Sequence, residues 1–165
     1  MWLLIGLYLS AIVAANISVA AFGPAVSIVN AFVFIALDLT SRDCLHEAWH
    51  GRGMFWKMAA LIATGSALSY LLNRGAGPIA LASFVAFAVS ASLDTLVYAI
   101  LGSKSYQLKV NGSNIVSAAA DSLIFPALAF GLPVLWPIVI GQFIAKVLGG
   151  AIWSVLLRRR EVSYE

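Results

Sequence analysis

The chain has 165 residues, 62% of them hydrophobic and 10% charged, with a mean hydropathy of +0.96. A soluble domain carries ~25% charged residues, so this chain cannot cover a surface facing water, and a soluble enzyme is excluded. The formal charge of +3 matters through where the charges lie and implies no nucleic-acid partner. The single Cys44 excludes an intramolecular disulfide framework and any CxxC metal or redox motif.

A spanning helix needs ~20 largely apolar residues, so the chain has room for six spans and no separate soluble domain. The apolar runs are continuous and do not alternate in period two, which argues against a β-barrel. The expected spans are residues 2–22, 24–39, 54–72, 78–101, 114–132 and 135–157 of one transmembrane domain. Phe22-Gly23-Pro24 closes the first segment, and Asn73-Arg74-Gly75-Ala76-Gly77 closes the third. Pro24 and Pro78 stand at helix starts, where a missing N–H costs nothing. The first segment lacks a basic n-region and is long enough to span, which argues against a cleavable signal peptide. The fold class expected is therefore an all-α integral membrane protein, a six-helix bundle.

Basic residues set the orientation. Arg42, Arg52, Lys57, Lys104, Lys109, Arg158, Arg159 and Arg160 fall on one side of six alternating spans. Arg74 alone falls on the other, and Lys146 lies inside the sixth segment. Both termini are therefore expected in the cytoplasm. The polar stretch 38–53 has two readings. It is either a charged cytoplasmic loop or a short interfacial helix that lays Leu39, Leu45 and Trp49 on the bilayer surface.

A charge at membrane depth costs ~2.5–3.5 kcal/mol on insertion scales and needs a reason. Asp38, Asp94, Asp121 and Lys146 qualify, with neutral polar Asn16, Asn30 and Gln142. Counted from the expected segment ends, Asp94 and Asp121 both lie about 10 Å from the cytoplasmic boundary, and Lys146 about 16 Å from it. Their surroundings repeat. Asp94-Thr95-Leu96-Val97-Tyr98 and Asp121-Ser122-Leu123-Ile124-Phe125 each read acid, hydroxyl, leucine, β-branched, aromatic. Positions i and i+4 share a helix face, so each motif sets a carboxylate beside a ring. Two such motifs suit a flat polar heterocycle: the rings stack on its face while a carboxylate accepts N–H donors from its edge. The alternative is structural, with the acids pairing with Lys146 or with serine hydroxyls.

His46-Glu47-Ala48-Trp49-His50 fits HExxH, which on a helix puts two imidazoles on one face with a general-base glutamate. A membrane-surface zinc hydrolase is the reading of another class. A catalytic zinc wants a third protein ligand, and the chain has no other histidine and no acid in a recognisable downstream ligand motif. A chance match is favoured, with no metal and no cofactor expected. Gly102-Ser103-Lys104-Ser105 lacks the upstream glycine of a phosphate-binding loop.

These residues also carry a family resemblance. Val33-Phe34-Ile35-Ala36-Leu37-Asp38-Leu39-Thr40 resembles the acid-ended second helix of the vitamin-uptake-transporter (VUT) family, the queuosine precursor transporters. Ala82-Ser83-Phe84 through Tyr98, and Asn114 through Phe125, look like two further motifs of that family. The resemblance implies an importer of 7-deazaguanines such as 7-cyano-7-deazaguanine in the cytoplasmic membrane. It also implies a helix arrangement like the substrate-binding component of energy-coupling-factor transporters. On this reading Asp94 and Asp121 take the donor edge, Tyr98 and Phe125 stack, and Asn30, Gln142 and Lys146 complete the polar contacts. Asp38 gates the cytoplasmic end. The partners expected are the small-molecule substrate, the bilayer and, left open, a second copy of the chain. An importer of another vitamin or nucleobase on the same scaffold is the alternative.

Overall fold

The computed structural model describes residues 2–37, 41, 45, 53–101 and 106–161. Within them every element is helical, and no strand occurs. A backbone that meets hydrocarbon must satisfy its own hydrogen bonds, and a helix does so within one segment. Three of the described helical stretches are long and apolar enough to cross a membrane: Trp2–Phe22, Arg74–Asp94 and Gly112–Phe130. Val26–Ile35 and Trp136–Gly150 are shorter apolar helices.

Helix α1 (Trp2–Phe22) ends at Gly23, whose φ of 80° is the left-handed conformation that closes helices. α2 (Val26–Asn30) runs on into a π-helical turn, Ala31–Ile35. α3 is Met54–Leu72. A 3-10 turn, Arg74–Ala76, follows, pinned by Asn73 Oδ1, which accepts from the Gly75 amide at 2.9 Å. α4 (Gly77–Ile100) and α5 (Tyr106–Phe130) form a long antiparallel hairpin, and α6 is Trp136–Glu161.

Two differences from the sequence reading bear on the site. α5 begins at Tyr106, not at Asn114. Asp121 therefore lies fifteen positions, about 22 Å, from its helix start, while Asp94 lies only six positions, about 9 Å, from the end of α4. The two acids are not at one level. Lys146 stands fifteen positions before Glu161, so it shares a level with Asp121. Second, Leu45 does not lie on a bilayer surface. It is fully buried in the core with Tyr8, Ile12, Met58, Ile62 and Phe87. The rest of 38–53, apart from the buried Ser41 and the exposed Gly53, lies outside the described residues.

Buried positions on α1 recur as Tyr8, Ala11, Ile12, Ala15, Asn16 and Val19, the period of one helix face. That face packs on α2, α3 and α4. The outer surface carries Trp2, Phe22, Leu71, Ile100 and Trp136, while Asn16, Asn30, Asp121, Gln142 and Lys146 are buried. Polar groups inside and apolar groups outside is the inverse of a soluble protein.

Small residues set the close approaches. A Cβ on Gly65 would meet the Ile12 side chain at 3.0 Å, so α1 and α3 nearly touch. A Cβ on Gly149 would stand 2.5 Å from the Phe32 carbonyl oxygen and 2.6 Å from the Ala36 Cβ, which seats α6 against the π-turn.

Candidate functional site

Seven of the buried polar and charged residues line one cavity. α1 contributes Asn16, α2 contributes Ser27 and Asn30, and α4 contributes Ser83 and Phe87. α5 adds Asp121 and Phe125, and α6 adds Gln142 and Lys146. The space open to a water's centre is about 20 Å³, and one water needs ~10–15 Å³. The cavity as it stands admits about one water, so a heterocycle enters only when the helices part.

At one wall Lys146 Nζ donates to Asp121 Oδ2 at 2.6 Å, to Ser122 Oγ at 2.9 Å and to Gln142 Oε1 at 3.3 Å. An ammonium has three protons, and all three are committed. The Lys146 side chain is 1% exposed and that of Asp121 9%. A lone buried charge there would be costly, and the pair brings the local charge to zero. Asp121 is not saturated, however: its Oδ1 is buried without a hydrogen-bond partner among the described residues. Pro126, fully buried one turn on, cannot donate to the Ser122 carbonyl.

The amides are oriented by serines. Ser27 Oγ donates to the Pro24 carbonyl, Ser18 Oγ to the Ala15 carbonyl at 3.0 Å, and Ser69 Oγ to the Gly65 carbonyl at 2.8 Å. Each hydroxyl has thereby spent its proton, and its oxygen accepts from an amide. Gln142 Nε2 donates to Ser27 at 2.9 Å, Asn30 Nδ2 to Ser18 at 2.7 Å, and Asn16 Nδ2 to Ser69 at 3.1 Å. Asn30 Nδ2 spends its second proton on the Ala15 carbonyl at 3.1 Å. Ser83 Oγ, from α4, donates to Asn16 Oδ1 at 2.6 Å.

Of the residues expected to form a site, Asn30, Asp121, Phe125, Gln142 and Lys146 line this cavity. Asp121 and Phe125 do so together, as their spacing of four predicts, and the Phe125 ring meets Phe130 edge-on at 5.7 Å. Asp94 does not line it. It is half-buried, seven positions along α4 from Phe87, with its Oδ1 buried and unpartnered among the described residues. A surface shared by the two acids is therefore not what forms. Asp38 and the side chain of Tyr98 lie outside the described residues, as do His46, Glu47 and His50 of the HExxH match. Among the described residues no group of three or more His, Cys, Asp or Glu comes together.

Asn16, Ser27, Ser83 and Phe87 also line the cavity and are absent from the sequence-derived site. Asn16 is legible as a polar residue inside an apolar segment. Nothing separates Ser27 and Ser83 from the chain's many packing serines.

A family model described as "Putative vitamin uptake transporter" matches residues 4–157 of the chain. No curated protein and no solved structure matches it.

Proposed function

The chain belongs to the vitamin uptake transporter family, and on that premise we propose that it imports a queuosine precursor, 7-cyano-7-deazaguanine or a related 7-deazapurine. The family makes it a membrane transporter of a small molecule. The finer reading assigns six spans in the cytoplasmic membrane, both termini inside, with helices arranged like the substrate-binding component of energy-coupling-factor transporters. Its reaction is translocation.

One observation carries the substrate assignment: a carboxylate oxygen, Asp121 Oδ1, buried and without a partner among the described residues, on a side chain that lines a cavity whose only described cation is already fully engaged. Such an oxygen wants a neutral ligand that brings N–H donors, because another anion would be repelled and another cation would leave excess charge. A guanine-type edge supplies a ring N–H and an exocyclic amine. In this reading Asp121 accepts from that edge, Phe125 stacks on the ring, and Gln142 and Asn30 line its rim. Lys146 pairs with Asp121 without itself donating to the ligand. Asp94 and Tyr98 lie toward the connection between α4 and α5, on the substrate's route to the cytoplasm, and Asp38 gates that end.

The test is a binding screen on the purified protein, with 7-cyano-7-deazaguanine, guanine, adenine and common vitamins as ligands. Saturable binding of the deazaguanine, competed by guanine and not by adenine, is the expected result. Binding of an unrelated vitamin with none of the deazaguanine would overturn the substrate.

A further inference from the structure

Asn16 is buried, 2% exposed, and lines the cavity from α1. Its amide is held from two other helices: Ser83 on α4 donates into Oδ1, and Ser69 on α3 accepts from Nδ2. The orientation has a physical lock. Ser69 has given its proton to the Gly65 carbonyl, so a flipped amide would set oxygen against oxygen. An amide has two N–H donors and two acceptor lone pairs, and these contacts use one of each. Among the described residues Asn16 thus keeps one donor and one acceptor, in a fixed sense.

α1 packs on α2, α3 and α4, whereas α5 packs on α4 and α6. Asn16 and Asp121 therefore line the cavity from different walls. A flat bicyclic ring whose donor edge meets Asp121 presents its neighbouring edge to another wall, and α1 is such a wall. On a 7-deazaguanine the edge beside the donor edge carries the five-ring N–H next to the ring nitrogen of the six-membered ring, one donor beside one acceptor. A fixed amide is its complement.

We propose that Asn16 is a specificity-determining residue, reading the five-ring N–H and neighbouring nitrogen of a free heterocyclic base. The role rests on the cavity being the substrate site. It has a chemical consequence: a nucleoside carries its sugar on that nitrogen, so the same contact rejects nucleosides.

The experiment compares two ligands on the purified full-length protein: 7-cyano-7-deazaguanine and its isostere with a ring oxygen in place of the five-ring N–H. The isostere fits the same space and removes only the donor. The wild-type protein is expected to prefer the N–H ligand by roughly tenfold, a lost hydrogen bond plus an acceptor left unpaired. Asn16→Leu, similar in size, should bring the two affinities to within about twofold. Asp121→Asn should weaken both ligands alike and leave the preference in place. Ser69→Ala removes only the group that orients the amide and should lower the preference severalfold, which decides the matter where Asn16→Leu does not fold. A preference that survives both Asn16→Leu and Ser69→Ala overturns this role, and so does a wild-type protein that binds the two ligands equally. A continued loss of affinity on Asp121→Asn would then leave the site itself standing. No binding of either ligand overturns the site and the role together.

Discussion

Asp121 gives its two oxygens opposite circumstances: Oδ2 accepts from Lys146 Nζ at 2.6 Å, and Oδ1 is buried with no hydrogen-bond partner among the described residues. The cation beside it has no such slack, because Ser122 and Gln142 take its other two protons. Lys146 is therefore a built-in counter-ion, and the unused acceptor belongs to the acid. Charge neutrality comes from the chain itself.

The pair yields a stability cycle. Removing one partner from a buried ion pair typically costs ~3–5 kcal/mol, because the other charge is left uncompensated. Lys146→Met should fall in that range. The double substitution Asp121→Leu with Lys146→Met removes both charges and should recover most of the loss. Thermal unfolding in detergent measures all three. Additive losses would mean that the two charges do not compensate one another.

Two adjacent glycines should behave oppositely. A Cβ on Gly149 meets backbone, the Phe32 carbonyl oxygen at 2.5 Å, and no rotamer relieves that. Gly149→Ala should push α6 off the π-turn and cost about 1–3 kcal/mol. Gly150 has nothing within 4 Å of its added Cβ, so Gly150→Ala should be neutral or gain up to ~1 kcal/mol of helix propensity. Gly141→Ala meets the far end of the Ile28 side chain at 2.7 Å and should lie between them. Melting temperatures of the three variants give the order.

How far the sequence reaches is visible at particular residues. The ends of α1 are readable, because Gly23-Pro24 is a chemical stop. The meeting of Lys146 with an acid is readable too, because an unpaired intramembrane charge is expensive anywhere. The start of α5 is not. Gln107, Lys109 and Asn111 read as loop to hydropathy, which senses the solvent, whereas the helix is set by backbone hydrogen bonds that continue past it. That displacement also misplaces Asp121 relative to Asp94 and suggests a shared site for two acids at different levels. The π-turn at Ala31–Ile35 has no side-chain signature in Ala-Phe-Val-Phe-Ile. The serine lock on Asn16 depends on which proton Ser69 has already spent, and only three-dimensional contacts decide that.

Orientation is open to direct labelling. With Cys44 replaced by serine, a cysteine introduced at position 74 should react with an impermeant maleimide added outside intact cells, and one at position 104 should not. The asymmetry of basic residues, eight expected on one side of six spans and Arg74 on the other, sets that expectation. The reverse pattern would invert the protein and place its acidic route on the outer side.

Transport itself separates the acids from each other and from the polar stretch 38–53. Asp121→Asn keeps the side chain's size, removes its charge and replaces an acceptor by an NH₂ donor. A charge-assisted hydrogen bond contributes ~1.5–3 kcal/mol, so uptake of 7-cyano-7-deazaguanine into proteoliposomes should fall at least tenfold. The loss of the Lys146 partner confounds that result, and Asp121→Asn paired with Lys146→Gln removes the confusion. If the vacant acceptor is what the substrate needs, the charge-balanced double variant folds better and still does not transport. Asp94→Asn, which alters a residue outside the cavity, should lower uptake only severalfold, through the route and not through affinity. His46→Ala and Glu47→Ala should transport near the wild-type rate. Uptake that survives the charge-balanced double variant but is lost on His46→Ala would move the chemistry from the cavity to the 38–53 stretch.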